Sequence, residues 1–83
     1  MRQLITTSNQ VGEILRGRRK ARHLAQQELA SKLGISQSRL STLEADPASM
    51  PLDRLIALAN VLGLELVLQD RSESPGRGAK AEW

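Results

Sequence analysis

The stretch from Gln26 to Ala45, QQELASKLGISQSRLSTLEA, predicts two short helices joined by a tight turn. Leu29 and Leu33 are four residues apart, so they share one face of the first helix, and the small Ala30 lies beside them. Gly34 comes directly afterwards, where a sharp turn often needs a positive φ. Because a larger side chain at position 30 would hold a neighbouring helix away, the two helices are expected to pack closely.

The second half of this stretch predicts a helix with one apolar face and one polar face. Ser36 is a favourable N-cap for a helix that begins one residue later. Leu40 and Leu43 then face inward. The side chains that point outward are polar and able to form hydrogen bonds: Gln37, Ser38, Arg39, Ser41 and Thr42. Such a surface is typical of a helix that reads base edges in the major groove of DNA, and a helical hairpin used only for packing is the alternative.

The residues from Val11 to Leu66, through LRGRRKARHLAQQELASKLGISQSRLSTLE, resemble the XRE-type helix-turn-helix family of lambda-repressor-like proteins. The resemblance implies an all-α fold, a small domain of four to five helices that binds double-stranded DNA. It places Gln37, Ser38 and Thr42 at the main base-reading positions of the family. Arg39 either holds a guanine through O6 and N7 or contacts a phosphate instead.

The resemblance also implies contacts between the helices. In this family an arginine that matches Arg19 pairs with the glutamate that ends the recognition helix, here Glu44, and braces two helices. The alternative is that Arg19 joins a basic run that faces phosphates. Gln26 keeps the family pattern and would meet a phosphate from a helix N-terminus. Ala25 departs from the usual Thr, Ser or Asn, which weakens the helix cap by about 1 kcal/mol.

Positive charge is concentrated in the first half of the chain. Residues 1–45 hold eight Lys and Arg against three acidic residues, whereas residues 46–83 hold four against six. Five of the basic residues lie within seven positions, from Arg16 to Arg22. A solvated helix face is one interpretation, but beside a helix-turn-helix the run indicates attraction to DNA phosphates. The predicted phosphate contacts are Gln26, Arg16, Arg18, Lys20 and Ser49, although Ser49 fits a plain connecting loop equally well.

Composition excludes several classes of protein. Eighty-three residues make one small domain, too small for an enzyme with a deep cleft of its own. The absence of Cys removes disulfides and thiolate metal sites and fits a reducing compartment. There is no long apolar run or signal-peptide pattern, so a cytoplasmic protein is expected. The family resemblance implies that it is bacterial and nucleoid-associated. The sequence contains no nucleophile–base set, no metal cluster and no glycine-rich phosphate loop. Nothing in it therefore indicates an enzyme, a cofactor or a small-molecule substrate.

Two flanking helices complete the predicted domain. Thr7 and Gln10 fit a capping box for a helix from Ser8 to Arg22. Pro51 is expected to start a last helix, and Gly63 to end it. The predicted apolar stripe of that last helix is Leu52, Leu55, Ile56, Ala59 and Leu62.

The next segment, LELVLQ from Leu64 to Gln69, alternates apolar and polar residues except at Val67 and predicts a β-strand. Because a lone strand cannot satisfy its backbone groups, the predicted partner is the same segment of a second copy, in a twofold homodimer. A frayed extension of the last helix is the alternative. The strand residues of this dimer are Leu64, Leu66 and Leu68. Two recognition helices about 34 Å apart would then read a palindromic operator.

Residues 1–69 are therefore predicted to form an XRE-type DNA-binding and dimerisation domain. Residues 70–83 have Ser, Pro, Gly and charged side chains without apolar periodicity, which predicts a disordered tail. The sequence finishes at Trp83, its only aromatic residue. Tryptophan is strongly enriched as a binding anchor, and an incidental terminal residue is the alternative.

The E-x-D-P sequence at 44–47, the strand and the tail with Trp83 resemble HipB-like antitoxins. This resemblance implies a small dimeric repressor of a type II toxin–antitoxin system. Such a protein would bind a HipA-type serine/threonine kinase toxin as well as its own operator, with Trp83 contacting the kinase. The alternative is a stand-alone phage-type or metabolic repressor without a toxin partner.

Overall fold

The structure is a computed structural model that describes residues 2–71. Four α-helices and one 3-10 turn form in this part of the chain, and no strand does. The elements are α1 (Ser8–Ala21), α2 (Gln26–Leu33), α3 (Gln37–Ala45), the 3-10 turn (Pro47–Ser49) and α4 (Leu52–Leu62). The predicted all-α helix-turn-helix fold is confirmed. The helix bounds differ from the predicted ones by a residue at most, and the short 3-10 turn was not predicted.

The two ends of the described chain lie together. The Arg2 guanidinium donates a 3.1 Å hydrogen bond to Oε1 of Gln69. Residues 64–71 continue neither α4 nor any other helix, which contradicts the alternative of a frayed helical extension. A strand formed across a dimer requires a second chain, so that part of the fold remains a prediction. Trp83 and most of the predicted tail lie outside the described residues.

Polar side chains start the first three helices. The Gln10 carboxamide oxygen accepts hydrogen bonds from the backbone N–H groups of Thr6 and Thr7, at 2.6 and 2.9 Å. The Ser36 hydroxyl accepts one from the N–H of Arg39 at 3.0 Å and so caps α3. Ala25 offers no such oxygen before α2. There Glu28 accepts from the Ala25 N–H at 3.0 Å, which supplies one half of a capping box.

Three of the helices end in the same way, with a residue in the left-handed conformation. These residues are His23 (φ 58), Gly34 (φ 73) and Gly63 (φ 76). After each of them, the next N–H bonds back to a carbonyl five residues earlier, which turns the chain toward the core. The apolar residues placed there pack against the core: Leu24, Ile35 and Leu64.

The core is built from leucines and two alanines that all four helices contribute. Its buried members are Leu15, Leu29, Ala30, Leu40, Leu43, Leu58, Ala59 and Leu62. The predicted apolar stripe of α4 is partly wrong, because Leu52 is 67% exposed and Ile56 is 43% exposed, whereas Leu58 is buried. Most of α4, LDRLIALANVL, is apolar, so its periodicity does not distinguish two neighbouring faces.

Two glycines of α1 have different surroundings. A Cβ added at Gly12 would lie 2.6 Å from the backbone oxygen of Glu44 and 3.1 Å from Cγ of Pro47. Gly12 therefore lets α1 approach the end of α3 and the 3-10 turn. A Cβ added at Gly17 would meet nothing within 4 Å. Sequence alone indicates only that both glycines weaken the isolated helix.

These surroundings predict opposite effects for two alanine substitutions. Gly12→Ala should lower the free energy of unfolding by about 1–3 kcal/mol, because backbone atoms of two elements must move apart. Gly17→Ala should raise it by up to about 1 kcal/mol, since alanine is the better helix former. Urea unfolding followed by circular dichroism measures both. Equal shifts of the two midpoints would show that the close approach at Gly12 has no energetic effect.

Candidate nucleic-acid interface

Helix α3 presents a continuous polar surface. Leu40, Leu43 and Glu44 of α3 are buried. All five predicted base-reading residues are exposed: Gln37, Ser38, Arg39, Ser41 and Thr42. Since successive residues are about 100° apart around a helix, Ser38 and Thr42 lie opposite the buried side, and Arg39 lies beside them. The helix therefore has leucines that anchor it and short polar side chains that face away from the protein.

The hydrogen bonds on this surface define what it can offer to a ligand. The Thr42 hydroxyl donates to the Ser38 carbonyl at 3.0 Å, so an acceptor oxygen and a methyl group remain available. The Ser38 hydroxyl lies 3.3 Å from that of Ser36. The Arg39 guanidinium makes no hydrogen bond or ion pair within residues 2–71, so its donors are available. A fork of donors beside hydroxyls and a methyl group matches the groups displayed at base edges.

Behind this surface, a buried ion pair joins α1 to α3. Arg19 Nε donates to Glu44 Oε2 at 2.8 Å, and Arg19 Nη2 donates to Glu44 Oε1 at 3.1 Å. Nη1 of the same guanidinium donates to the Leu24 carbonyl at 2.9 Å. The two side chains are 9% and 2% exposed. The structure thus brings together the two residues that the family resemblance paired, and it adds a backbone partner.

Gln26 is a third member of this network. Its Nε2 donates to Glu44 Oε1 at 3.0 Å, so the first residue of α2 is tied to the end of α3. Sequence reasoning predicted Gln26 only as a phosphate contact and did not anticipate this bond, because no local pattern links positions 26 and 44. One N–H of the amide group remains for another acceptor.

The network keeps Glu44 ionised. Burial alone would raise the pKa of Glu44, because it disfavours the charged form. Hydrogen bonds from Arg19 and Gln26, with the positive charges of Arg19 and Arg16, outweigh that effect and hold the pKa of Glu44 below its usual value. Arg16 therefore lies close enough to the end of α3 to act on this carboxylate.

The basic run of α1 divides into two groups around the buried Arg19. Arg16 and the exposed Lys20 are four residues apart and share one flank of the helix. On the other flank, Arg18 Nε donates to the Leu62 carbonyl at 3.0 Å. Gly63 follows α4, and a Cβ added to it would lie 2.8 Å from the Arg22 guanidinium. Both arginines thus lie at the carbonyl end of α4, where the helix dipole favours positive charge.

The remaining predicted phosphate contact, Ser49, closes the 3-10 turn. Its hydroxyl donates to the Asp46 carbonyl at 2.9 Å, and its N–H bonds to the same oxygen at 3.1 Å. Like Arg18, it therefore has a partner inside the protein that sequence reasoning did not predict. Among the predicted phosphate contacts, Arg16, Lys20 and one amide N–H of Gln26 have no hydrogen-bond partner within residues 2–71 and so are available to a ligand.

The described residues contain no other arrangement with evident chemistry. Within 2–71, no three His, Asp or Glu side chains are placed to hold a metal ion. None of the described helices combines the length and the apolar character that crossing a bilayer requires. What the arrangement around α3 can do is recognise a ligand that displays anions and base-edge acceptors.

Comparison with known proteins gives the family of this chain. The helix-turn-helix family profile matches residues 15–69. The chain is 34% identical over 61 residues to y4dL of Sinorhizobium fredii, described as an uncharacterised HTH-type transcriptional regulator. It is 43% identical over 47 residues to YobD of Bacillus subtilis, which has the same description. The chain belongs to the helix-turn-helix family of DNA-binding domains, and its similarity is to transcriptional regulators rather than to enzymes.

These relatives are longer proteins. The alignment with y4dL covers 74% of this chain but 31% of y4dL, and the alignment with YobD covers 57% and 42%. The chain therefore spans less than half the length of the curated relatives it matches. The region that the family profile matches, residues 15–69, contains α2 and α3, and α3 carries the polar surface described above.

The ion pair predicts that stability depends on acidity. Because the pKa of Glu44 is lower in the folded chain, the unfolded chain protonates this carboxylate more readily. The stability that the ionised carboxylate contributes is present at neutral pH, and it is lost as pH falls below about 4.3, the usual pKa of Glu. Glu44→Gln should cost about 3–5 kcal/mol at neutral pH, since Arg19 is left buried without its counter-charge.

Urea unfolding from neutral pH to about pH 3 measures this dependence. The difference between wild type and Glu44→Gln should shrink as pH falls. Glu13→Gln, at an exposed position of α1, is the matched control for the change of charge and should follow the wild-type curve. A difference that stays constant with pH would contradict a role for the ionised carboxylate.

Proposed function

We propose that this chain is the DNA-binding part of a transcriptional repressor that reads a palindromic operator as a homodimer. The observation that carries the proposal is the exposed polar surface of α3, with its leucines buried and the Arg39 guanidinium available. Helices need such a surface to enter a major groove without losing their own packing. The similarity to HTH-type transcriptional regulators supports the same conclusion.

Each outward residue of α3 has a role in this proposal. Arg39 donates two hydrogen bonds to guanine O6 and N7. Ser38 and Thr42 lie nearest the bases, where a hydroxyl oxygen accepts from an amino group and the Thr methyl contacts a thymine methyl. Gln37 and Ser41 lie on the side away from Arg39 and reach bases directly or through water.

Phosphate contacts orient the domain on the duplex. Gln26 donates its second amide hydrogen, together with the free N–H groups at the start of α2. Arg16 and Lys20 attract phosphates from the flank of α1 that lies away from Arg18. Arg18 and Ser49 contribute less, because each already has a carbonyl partner.

The homodimer supplies the second half-site. Residues 66–68 carry exposed apolar side chains. In this proposal residues 64–68 pair with the same segment of a second copy, through Leu64, Leu66 and Leu68. Two copies of α3 then lie about one helical turn of DNA apart, about 34 Å. A regulator of this kind acts in the bacterial cytoplasm, on DNA of the nucleoid.

The finer proposal is that this repressor is an antitoxin that binds a HipA-type kinase toxin and regulates its own operon. It rests on the resemblance of E-x-D-P at 44–47, of the segment after α4 and of the tail with Trp83 to HipB-like antitoxins. In this proposal Trp83 is the anchor for the kinase. A stand-alone phage-type or metabolic repressor is the second candidate, and the same α3 surface supports it.

Substitution of Arg39 tests base reading. Arg39→Ala should weaken operator binding by about 1–3 kcal/mol while changing binding to random DNA much less. Arg39→Lys is the matched control, because lysine keeps the charge but loses the bidentate geometry. The Arg39→Lys variant should bind random DNA as the wild type does, but it should discriminate poorly between the operator and random DNA. The measurement is fluorescence anisotropy at fixed salt, on an operator selected from a random library. Equal losses on both DNAs would assign Arg39 to a phosphate.

Co-purification from the bacterium that encodes this chain tests the antitoxin proposal. A serine/threonine kinase should come down with the tagged full chain and be lost with Trp83→Ala. Trp83→Phe, which keeps an aromatic anchor, should retain part of it. A kinase retained by Trp83→Ala would move the contact to the folded domain. Recovery of DNA and of the chain itself without a kinase would favour the stand-alone repressor.

A further inference from the structure

The segment after α4 has apolar side chains and open backbone groups together. Leu64 is half-buried against the core, whereas Leu66 is 45%, Val67 69% and Leu68 101% exposed. Within the described chain, no backbone hydrogen bond involves residues 65–71. A segment with both properties is a template for pairing with another extended chain.

We infer that a second copy of the chain pairs with this segment, antiparallel, about a twofold axis through Leu66. The inference rests on the homodimer proposed above and adds the residue on which its axis lies. With this axis, Leu66 is opposite Leu66 of the second copy. Leu64 is opposite Leu68, and the reverse pair follows by symmetry.

Side-chain direction excludes an axis that passes between two residues. Directly opposed residues of an antiparallel pair project to the same face, and a slip of one residue turns a whole strand over. An axis between Leu66 and Val67 would place Leu68 opposite Glu65 and Leu64 opposite Gln69. The leucines of one strand would then share a face with the polar residues of the other.

Charge and burial distinguish the axes that pass through a residue. An axis through Glu65 would place two carboxylates directly opposite each other, which is unfavourable. An axis at Val67, or one residue later, would place Asp70 opposite a leucine on the face that packs toward the core. With the axis at Leu66, each of the three leucines of residues 64–68 is opposite a leucine, and Glu65 is opposite Val67.

The exposure of the three leucines fits the same axis. Exposure increases along the segment, from the half-buried Leu64 to the fully exposed Leu68. The twofold places Leu68 of one copy beside Leu64 of the other, at the edge of the core. A shallow groove of about 300 Å³ lies alongside, lined by Ile56, Ala59, Asn60, Glu65 and Leu66. The side chain that lacks cover in the single chain is thus covered in the pair.

Cysteine crosslinking of the full chain tests the position of the axis. The natural sequence contains no Cys, so each engineered thiol is the only one in its chain. Leu66→Cys should give a disulfide-linked dimer on mild oxidation, because directly opposed residues fall within disulfide range. Leu64→Cys and Leu68→Cys should each remain uncrosslinked alone, since their own copies lie several residues apart. Mixed and re-equilibrated, these two variants should crosslink to each other. Non-reducing electrophoresis measures all three.

Sedimentation of the wild type separates this inference from the homodimer itself. A dimer, together with the crosslinking pattern above, supports the axis at Leu66. A dimer in which Leu68→Cys crosslinks faster than Leu66→Cys, or in which none of the three crosslinks, overturns the axis and leaves the homodimer standing. A monomer at concentrations where the operator is bound overturns both. Circular dichroism confirms that each variant folds, as the 45% exposure of Leu66 leads us to expect.

Discussion

The contact between Arg19 and Glu44 is the constraint on which the position of α3 depends. The two charges are almost fully buried, so removing them from water is costly unless each is fully bonded. The guanidinium meets both carboxylate oxygens and the Leu24 carbonyl, and Gln26 supplies a further donor. The network therefore joins α1, the loop after it, α2 and α3 in one geometry. The net stability that a buried pair contributes is small, because the cost of desolvation offsets much of the attraction between the charges. The contacts of this pair hold the end of α3 against α1, the loop after it and α2.

The parts of the fold that could be predicted from sequence are those that local chemistry determines. Gly34 and Ser36 specify a turn and a new helix within a few residues, and both act as expected. The buried face of α4 is different, because that helix is apolar on more than one side. Its packing against the other helices determines that Leu58 is buried and Leu52 is exposed. The same holds for Gly12, where a side chain is excluded by the backbone oxygen of Glu44, more than thirty residues away in the sequence.

The basic run of α1 shows why a candidate site is harder to predict than a fold. Counting charge correctly identified an electropositive segment, but a step of about 100° per residue sends neighbouring arginines to different surroundings. Arg19 is buried in the ion pair, Arg18 bonds to the end of α4, and Arg16 stays beside the end of α3. Composition gives the total charge available for phosphates, and only the packing of α1 decides how much of it reaches the interface.

The surfaces proposed for DNA and for a second copy are separate on this domain. Its large exposed apolar side chains lie before α1, on α4 and after α4, and α3 has none among the described residues. A dimer can therefore form without covering the polar surface of α3. In the proposed dimer, binding of one half-site would hold the second α3 at a high effective concentration near the other. Operator affinity would then depend on the pairing around Leu66 as well as on Arg39. Changes far from DNA would thus weaken repression without altering any base contact.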